Sequence, residues 1–127
     1  MADDKGDCFE ASLVWMVGSG QMFLEDEVLL VHGIATGTGP IEGVPMLHAW
    51  IEIDRKYVLD VANGKVILVP IEIYYRAGRV RQSSLVKYNY IQALEAAHRG
   101  STYGPWHPSF IQYAKEEENA LKKTGEV

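Results

Sequence analysis

Residues 46–64 read MLHAWIEIDRKYVLDVANG, and the parity of this stretch decides how the chain folds. Strand residues two apart share a face. Leu47, Ala49, Ile51 and Ile53 therefore point one way and His48, Trp50 and Glu52 the other. Asp54, Arg55 and Lys56 suit a turn, and β-forming residues resume from Tyr57 to Val61. A three-residue loop, a common hairpin length, sets Ile53 opposite Tyr57, Trp50 opposite Asp60 and His48 opposite Ala62. His48 and Asp60 then become diagonal neighbours on one face, ~7–8 Å apart at Cα. A loop one residue shorter or longer would place them on opposite faces.

Working outward, the single cysteine, Cys8, lies in GDCFEAS. Asp7 is the expected N-cap, with Glu10 in a capping-box-like position. Cys8 is then the first residue of a helix that runs to about Val17 and stops at Gly18. Ala11, Leu13, Val14, Trp15, Met16 and Val17 leave that helix apolar nearly all round, the pattern of a helix at the centre of a domain. Val28 to Ile34, extending toward Thr36, reads as a buried strand. The loop Gly37 to Pro45 delivers the chain to the His48 strand.

Downstream, Asn63-Gly64 is a hairpin turn signal and Lys65 to Val69 a further strand. Pro70 opens a short helix, IEIYYRA, ended by Gly78, with a strand as the alternative. Val80 to Tyr88 holds one more strand. Asn89 caps a second clear helix, with Gln92 three residues on and Gly100 after its end. STYGPWHPS is a loop. Pro108 opens a last helix to about Lys123, whose Ile111, Ala114 and Leu121 hint at a docking stripe. The order predicts a single α+β domain over residues 1–127. A buried Cys-bearing helix packs on an antiparallel sheet, with a core at about 7–69 and a helical C-terminal part at about 89–123.

Composition bounds the function. The chain has 127 residues, 47% hydrophobic and 23% charged, with a net charge of −5. That size suits one domain. The acidic balance argues against nucleic acid and anionic membranes as partners, which need clustered Lys and Arg. No apolar run is long enough to span a bilayer, and MADDKGD lacks a signal-peptide core. One cysteine forms no internal disulfide, so a cytoplasmic, reducing compartment is the simplest expectation.

Cys8, His48 and Asp60 carry the chemistry. A cysteine attacks as its thiolate, and an unperturbed thiol has a pKa near ~8.5. The partial positive charge of a helix N-terminus and a neighbouring imidazolium both favour the thiolate, while Asp3, Asp4, Asp7 and Glu10 oppose it. His48 would serve as general acid and base, and Asp60 would hold its tautomer and orientation. The Cys8 backbone N–H is a natural oxyanion donor, with Gln21 as a candidate second donor.

A helix-starting Cys, then a strand reading His-Ala-Trp-x-Glu, then a strand ending in Leu-Asp, resembles the transglutaminase-like, papain-related cysteine superfamily. HAWIEI is the most specific piece, and the resemblance covers the chain to about Val69. DCFE and YVLDV are also similar to the corresponding motifs of arylamine N-acetyltransferases, another branch of that superfamily. The resemblance implies a thiol-dependent hydrolase or acyltransferase acting on an amide, isopeptide or thioester bond, without cofactor, on a peptide, protein or other amide-containing substrate. It departs from the pattern in having almost nothing before Cys8, where papain-like enzymes supply an oxyanion glutamine. A homo-oligomeric or other partner completing the site is one expectation that follows.

Blander readings stand beside these. Cysteine is often a small buried hydrophobe. Trp50, on the His48 face, either lines a substrate groove, covers the imidazole or is a core aromatic. Glu52 is a solvated or paired strand residue, and His32 a packed histidine. A metal site from Cys8, His48 and Asp60 lacks the paired spacing that zinc sites show, so none is expected. The glycines between Gly33 and Gly39 lack the ending of a phosphate-binding loop. The alternative function is a non-catalytic binding domain using the aromatic loop Tyr103 to Trp106.

Overall fold

The computed structural model describes residues 7–19, 27–36 and 45–125, with side chains described to residue 116. Helix α1 (Cys8–Ser19) is followed by strands β1 (Val28–Thr36), β2 (Pro45–Ile53), β3 (Tyr57–Asp60) and β4 (Ile67–Pro70). Helix α2 (Ile71–Ala77), strand β5 (Val86–Tyr88) and helices α3 (Tyr90–Gly100) and α4 (Pro108–Gly125) complete the order. The strands form one antiparallel sheet in the order β4-β3-β2-β1-β5. The domain is α+β, with the N-terminal helix packed on the sheet.

The hairpin register is the one that parity predicts: Ile53 pairs with Tyr57, Glu52 with Val58 and Ile51 with Leu59. Asp54 and Arg55 both take left-handed backbone conformations, and the Lys56 N–H closes the turn onto the Ile53 carbonyl at 3.0 Å. Alternation then sorts the two faces. Leu30, Ile51 and Leu59 pack with Leu13 and Met16 of α1 and Ala93 of α3. Val31, Trp50 and Val58 pack on the opposite face with Ile71, Tyr74 and Tyr75 of α2 and with Val80 and Leu85.

Helix α1 is less enclosed than its composition predicts. Its buried residues, Cys8, Ser12, Leu13 and Met16, recur at helical spacing on one side, while Val14 is 56% exposed. Val17 is exposed as well, while Phe9 and Trp15 are partly buried against the core, so total hydrophobicity overstated the burial. Asn63-Gly64 does turn the chain, but through a wide connection with a short 3-10 turn, because β4 pairs only from Ile67, opposite Asp60. The strand expected within Val80 to Tyr88 is present but short. A 3-10 turn at Gln82–Ser84 precedes a three-residue strand, and the Ser84 hydroxyl accepts from the Ile34 N–H at 3.1 Å.

Pro70 opens α2 as expected. Asn89 caps α3 in a full capping box with Gln92, and the helix ends on a left-handed Ser101 after Gly100. In α4, the anchor is Phe110, 3% exposed, rather than Ile111, which is 41% exposed. Leu121 of the expected stripe lies outside the described side chains.

Candidate active site

The site forms where β3 stops. β3 ends at Asp60, whereas β2 runs on toward Pro45 still paired to β1. The edge of β2 vacated by β3 is filled by the N-terminus of α1 and the turn at Ala62–Gly64. Cys8 is buried there against Ala49 and Ala62, with Phe9 packed alongside. The Asp7 carboxylate accepts the Asn63 N–H at 2.8 Å and so ties the helix start to that turn. Cys8 belongs to a helix on one face of the sheet, and His48 points to the other face. Both lie at this edge, where Cys8 is among the groups that raise the His48 pKa.

His48 Nε2 is 3.1 Å from Asp60 Oδ2, with 26% and 14% of the two side chains exposed. Asp60 Oδ2 also accepts the Tyr74 hydroxyl at 2.7 Å, and Oδ1 accepts the Ala62 N–H at 3.0 Å. Burial alone would lower the imidazole pKa. The hydrogen bond to Asp60, followed by the hydrogen bond and charge of Cys8 and the charge of Asp60, overcomes it and pushes His48 up to about 10. Burial would raise Asp60, but its bond to His48, the imidazolium charge, and its bonds to Tyr74 and Ala62 hold it below the usual carboxylate range. The structure thus brings together Cys8, His48 and Asp60.

Trp50 is fully buried beneath this cluster, its ring centroid 5.8 Å from His48 and 5.2 Å from Tyr74. With no exposed surface it is a floor for the imidazole rather than the wall of a substrate groove. Its indole N–H donates to Glu52 Oε2 at 3.1 Å. Glu52 is 1% exposed and paired: Tyr75 donates its hydroxyl to Oε2, and Lys87 Nζ lies 3.0 Å from Oε1. Gln21, the candidate second oxyanion donor, lies outside the described residues.

Sequence reasoning did not single out Tyr74 and Tyr75. Their position after Pro70, two aromatics in a short helix with an apolar start, was the available signal. His32 is a packed histidine as expected. It is fully buried among Phe9, Tyr88 and Trp106, and burial lowers its pKa to about 3. Neither of its ring nitrogens, nor the Ser12 hydroxyl, has a hydrogen-bond partner among the described residues. The aromatic loop folds back: Trp106 packs on His32 and Tyr88 and donates its N–H to the Thr102 carbonyl at 3.0 Å, leaving Tyr103 half-exposed. No group of metal-ligating side chains and no helix long and apolar enough to cross a membrane occurs among the described residues.

Comparison of this chain with models of known families, with curated proteins and with solved structures finds no match.

Proposed function

We propose that this domain is a thiol enzyme of the transglutaminase-like, papain-related kind, hydrolysing or transferring an acyl group through Cys8, His48 and Asp60. The observation that carries this reading is a single imidazole bonded to Asp60 and coupled to Cys8 at a helix start. With Nε2 engaged by Asp60, Nδ1 is the ring nitrogen left for the thiol. His48 takes the thiol proton as Cys8 attacks. The Cys8 sulfur bonds to the substrate carbonyl carbon, and the oxyanion faces the N–H groups at the start of α1. Collapse breaks the bond to the leaving amine, alcohol or thiol, which takes the proton from His48 and leaves an acyl thioester. Water or an amine then attacks the thioester. His48 accepts the incoming proton as the bond to sulfur breaks and the resting pair re-forms.

The pH dependence of Cys8 alkylation by iodoacetamide, in the wild type and in His48→Ala, tests the reading. Alkylation that persists well below pH ~8.5 and loses that behaviour without His48 supports it. A native-state thiol that is inert, or whose profile ignores His48, sinks it. An amine acceptor then separates transfer from hydrolysis by ping-pong kinetics. The substrate class expected is a peptide, protein or other amide- or thioester-containing molecule.

A further inference from the structure

Tyr74 stands on α2, beyond the segment that carries the three expected site residues. Its hydroxyl donates to Asp60 Oδ2, the oxygen that also faces His48 Nε2. The other oxygen, Oδ1, is held by the Ala62 N–H. Both oxygens are thus fixed, and the carboxylate has no freedom to turn about its own bond. Tyr74 itself is held: its ring packs on Trp50, and α2 is tethered at its start by the Ile71 N–H to the Lys56 carbonyl at 2.9 Å. Burial, then the charge of Asp60, pushes the phenol pKa up, so the hydroxyl stays a donor. The next residue, Tyr75, sends its hydroxyl to Glu52 instead. Two successive phenols of one helix therefore serve two different carboxylates of the sheet.

We propose that Tyr74 is a positioning residue of the Cys8–His48–Asp60 centre, its hydroxyl holding the Asp60 carboxylate so that Oδ2 faces His48 Nε2. This rests on the thiol-enzyme reading above. Tyr74 acts through Asp60 and does not touch the reacting atoms.

The test uses the full chain and compares Tyr74→Phe with Tyr75→Phe, which removes the equivalent hydroxyl one residue along. The first readout is the proton resonance of the His48 Nε2–H, held against exchange by Asp60. The second is the rate of Cys8 alkylation at pH 7, and the third the thermal midpoint. Tyr74→Phe is expected to broaden or lose the resonance and to slow alkylation roughly threefold to tenfold, the effect of half to one pKa unit. Tyr75→Phe keeps both. A resonance retained in Tyr74→Phe, or lost equally in the two variants, overturns the proposal. If Tyr74→Phe does not fold, a fluorinated tyrosine at position 74 keeps ring and donor while changing its acidity. The resonance must then shift, and an unmoved one is equally fatal. Alkylation that ignores His48→Ala while the resonance still depends on Tyr74 defeats the enzyme reading and leaves the positioning role standing. The reverse pattern defeats the positioning role alone.

Discussion

His48 and Asp60 meet on a diagonal of the β2–β3 hairpin, Nε2 to Oδ2 at 3.1 Å, while Cys8 is coupled to the same imidazole from a helix on the sheet's other face. The hydrogen bond from Asp60 is the leading support for the raised His48 pKa, and the Asp60 charge adds to it, so the carboxylate is the group to change. Asp60→Asn keeps an acceptor for the Ala62 N–H and deletes the charge. His48 is expected to titrate at least about one unit lower, and Cys8 alkylation near neutral pH to slow roughly tenfold. NMR titration of His48 checks the first expectation, and an unmoved titration contradicts it.

His32 and His48 pull stability in opposite directions with pH. Burial holds the folded pKa of His32 at about 3, below the ordinary histidine value of 6.5. The unfolded chain therefore takes up a proton that the fold refuses, and stability falls as pH drops from 6.5 toward 3. The slope from this group alone is about 1.4 kcal/mol per pH unit. His48 is raised, so its contribution is complete below 6.5 and is lost as pH rises toward 10. Urea unfolding across that range should show both limbs. His32→Leu should flatten the acid limb, and an acid limb of unchanged slope would assign it to other groups.

Glu52 is a buried carboxylate with three partners, Trp50, Tyr75 and Lys87. Glu52→Ala strands those donors and frees Trp50 beneath His48, and is expected to destabilise the domain by about 3–5 kcal/mol. Glu52→Gln keeps an acceptor for Trp50 and should cost less. Denaturant midpoints of the two variants decide, and equal losses would mean that the carboxylate charge, rather than side-chain volume or the acceptor kept for Trp50, is what matters at this position.

Gly104 has φ of +117°, and a Cβ placed there would lie 2.8 Å from Cε1 of His32. Gly104→Ala thus meets both a strained backbone and a wall of packed rings, with an expected loss of about 1–3 kcal/mol. The thermal midpoint of the variant is the check. A neutral result would show that the loop gives way instead of holding Trp106 on His32.

The sheet and the hairpin were legible because their signals are local. Alternation from Leu47 to Ile53 and a polar turn at Asp54–Lys56 determine which residues share a face, and that alone puts His48 near Asp60. The start of α1 at Cys8 and the box of Asn89 with Gln92 are equally local. The exposure of Val14 was hidden, since it depends on which helix side meets the sheet. Tyr74 was hidden for a related reason: its partner is set by how α2 docks after Pro70, a contact between segments that no periodicity encodes. The burial of Glu52 depends likewise on Lys87, from the far edge strand β5, reaching across to it.

Cys8 is the chain's single sulfhydryl, and it is 9% exposed at the edge that β3 leaves open. A bulky disulfide reagent is expected to need the first turn of α1 to lift away from Ala49 and Ala62 before it can react. Its labelling rate therefore measures how often that corner of the domain breathes, and adding denaturant separates this local opening from global unfolding. The residue proposed as the nucleophile is also a built-in clock for the integrity of that corner of the domain.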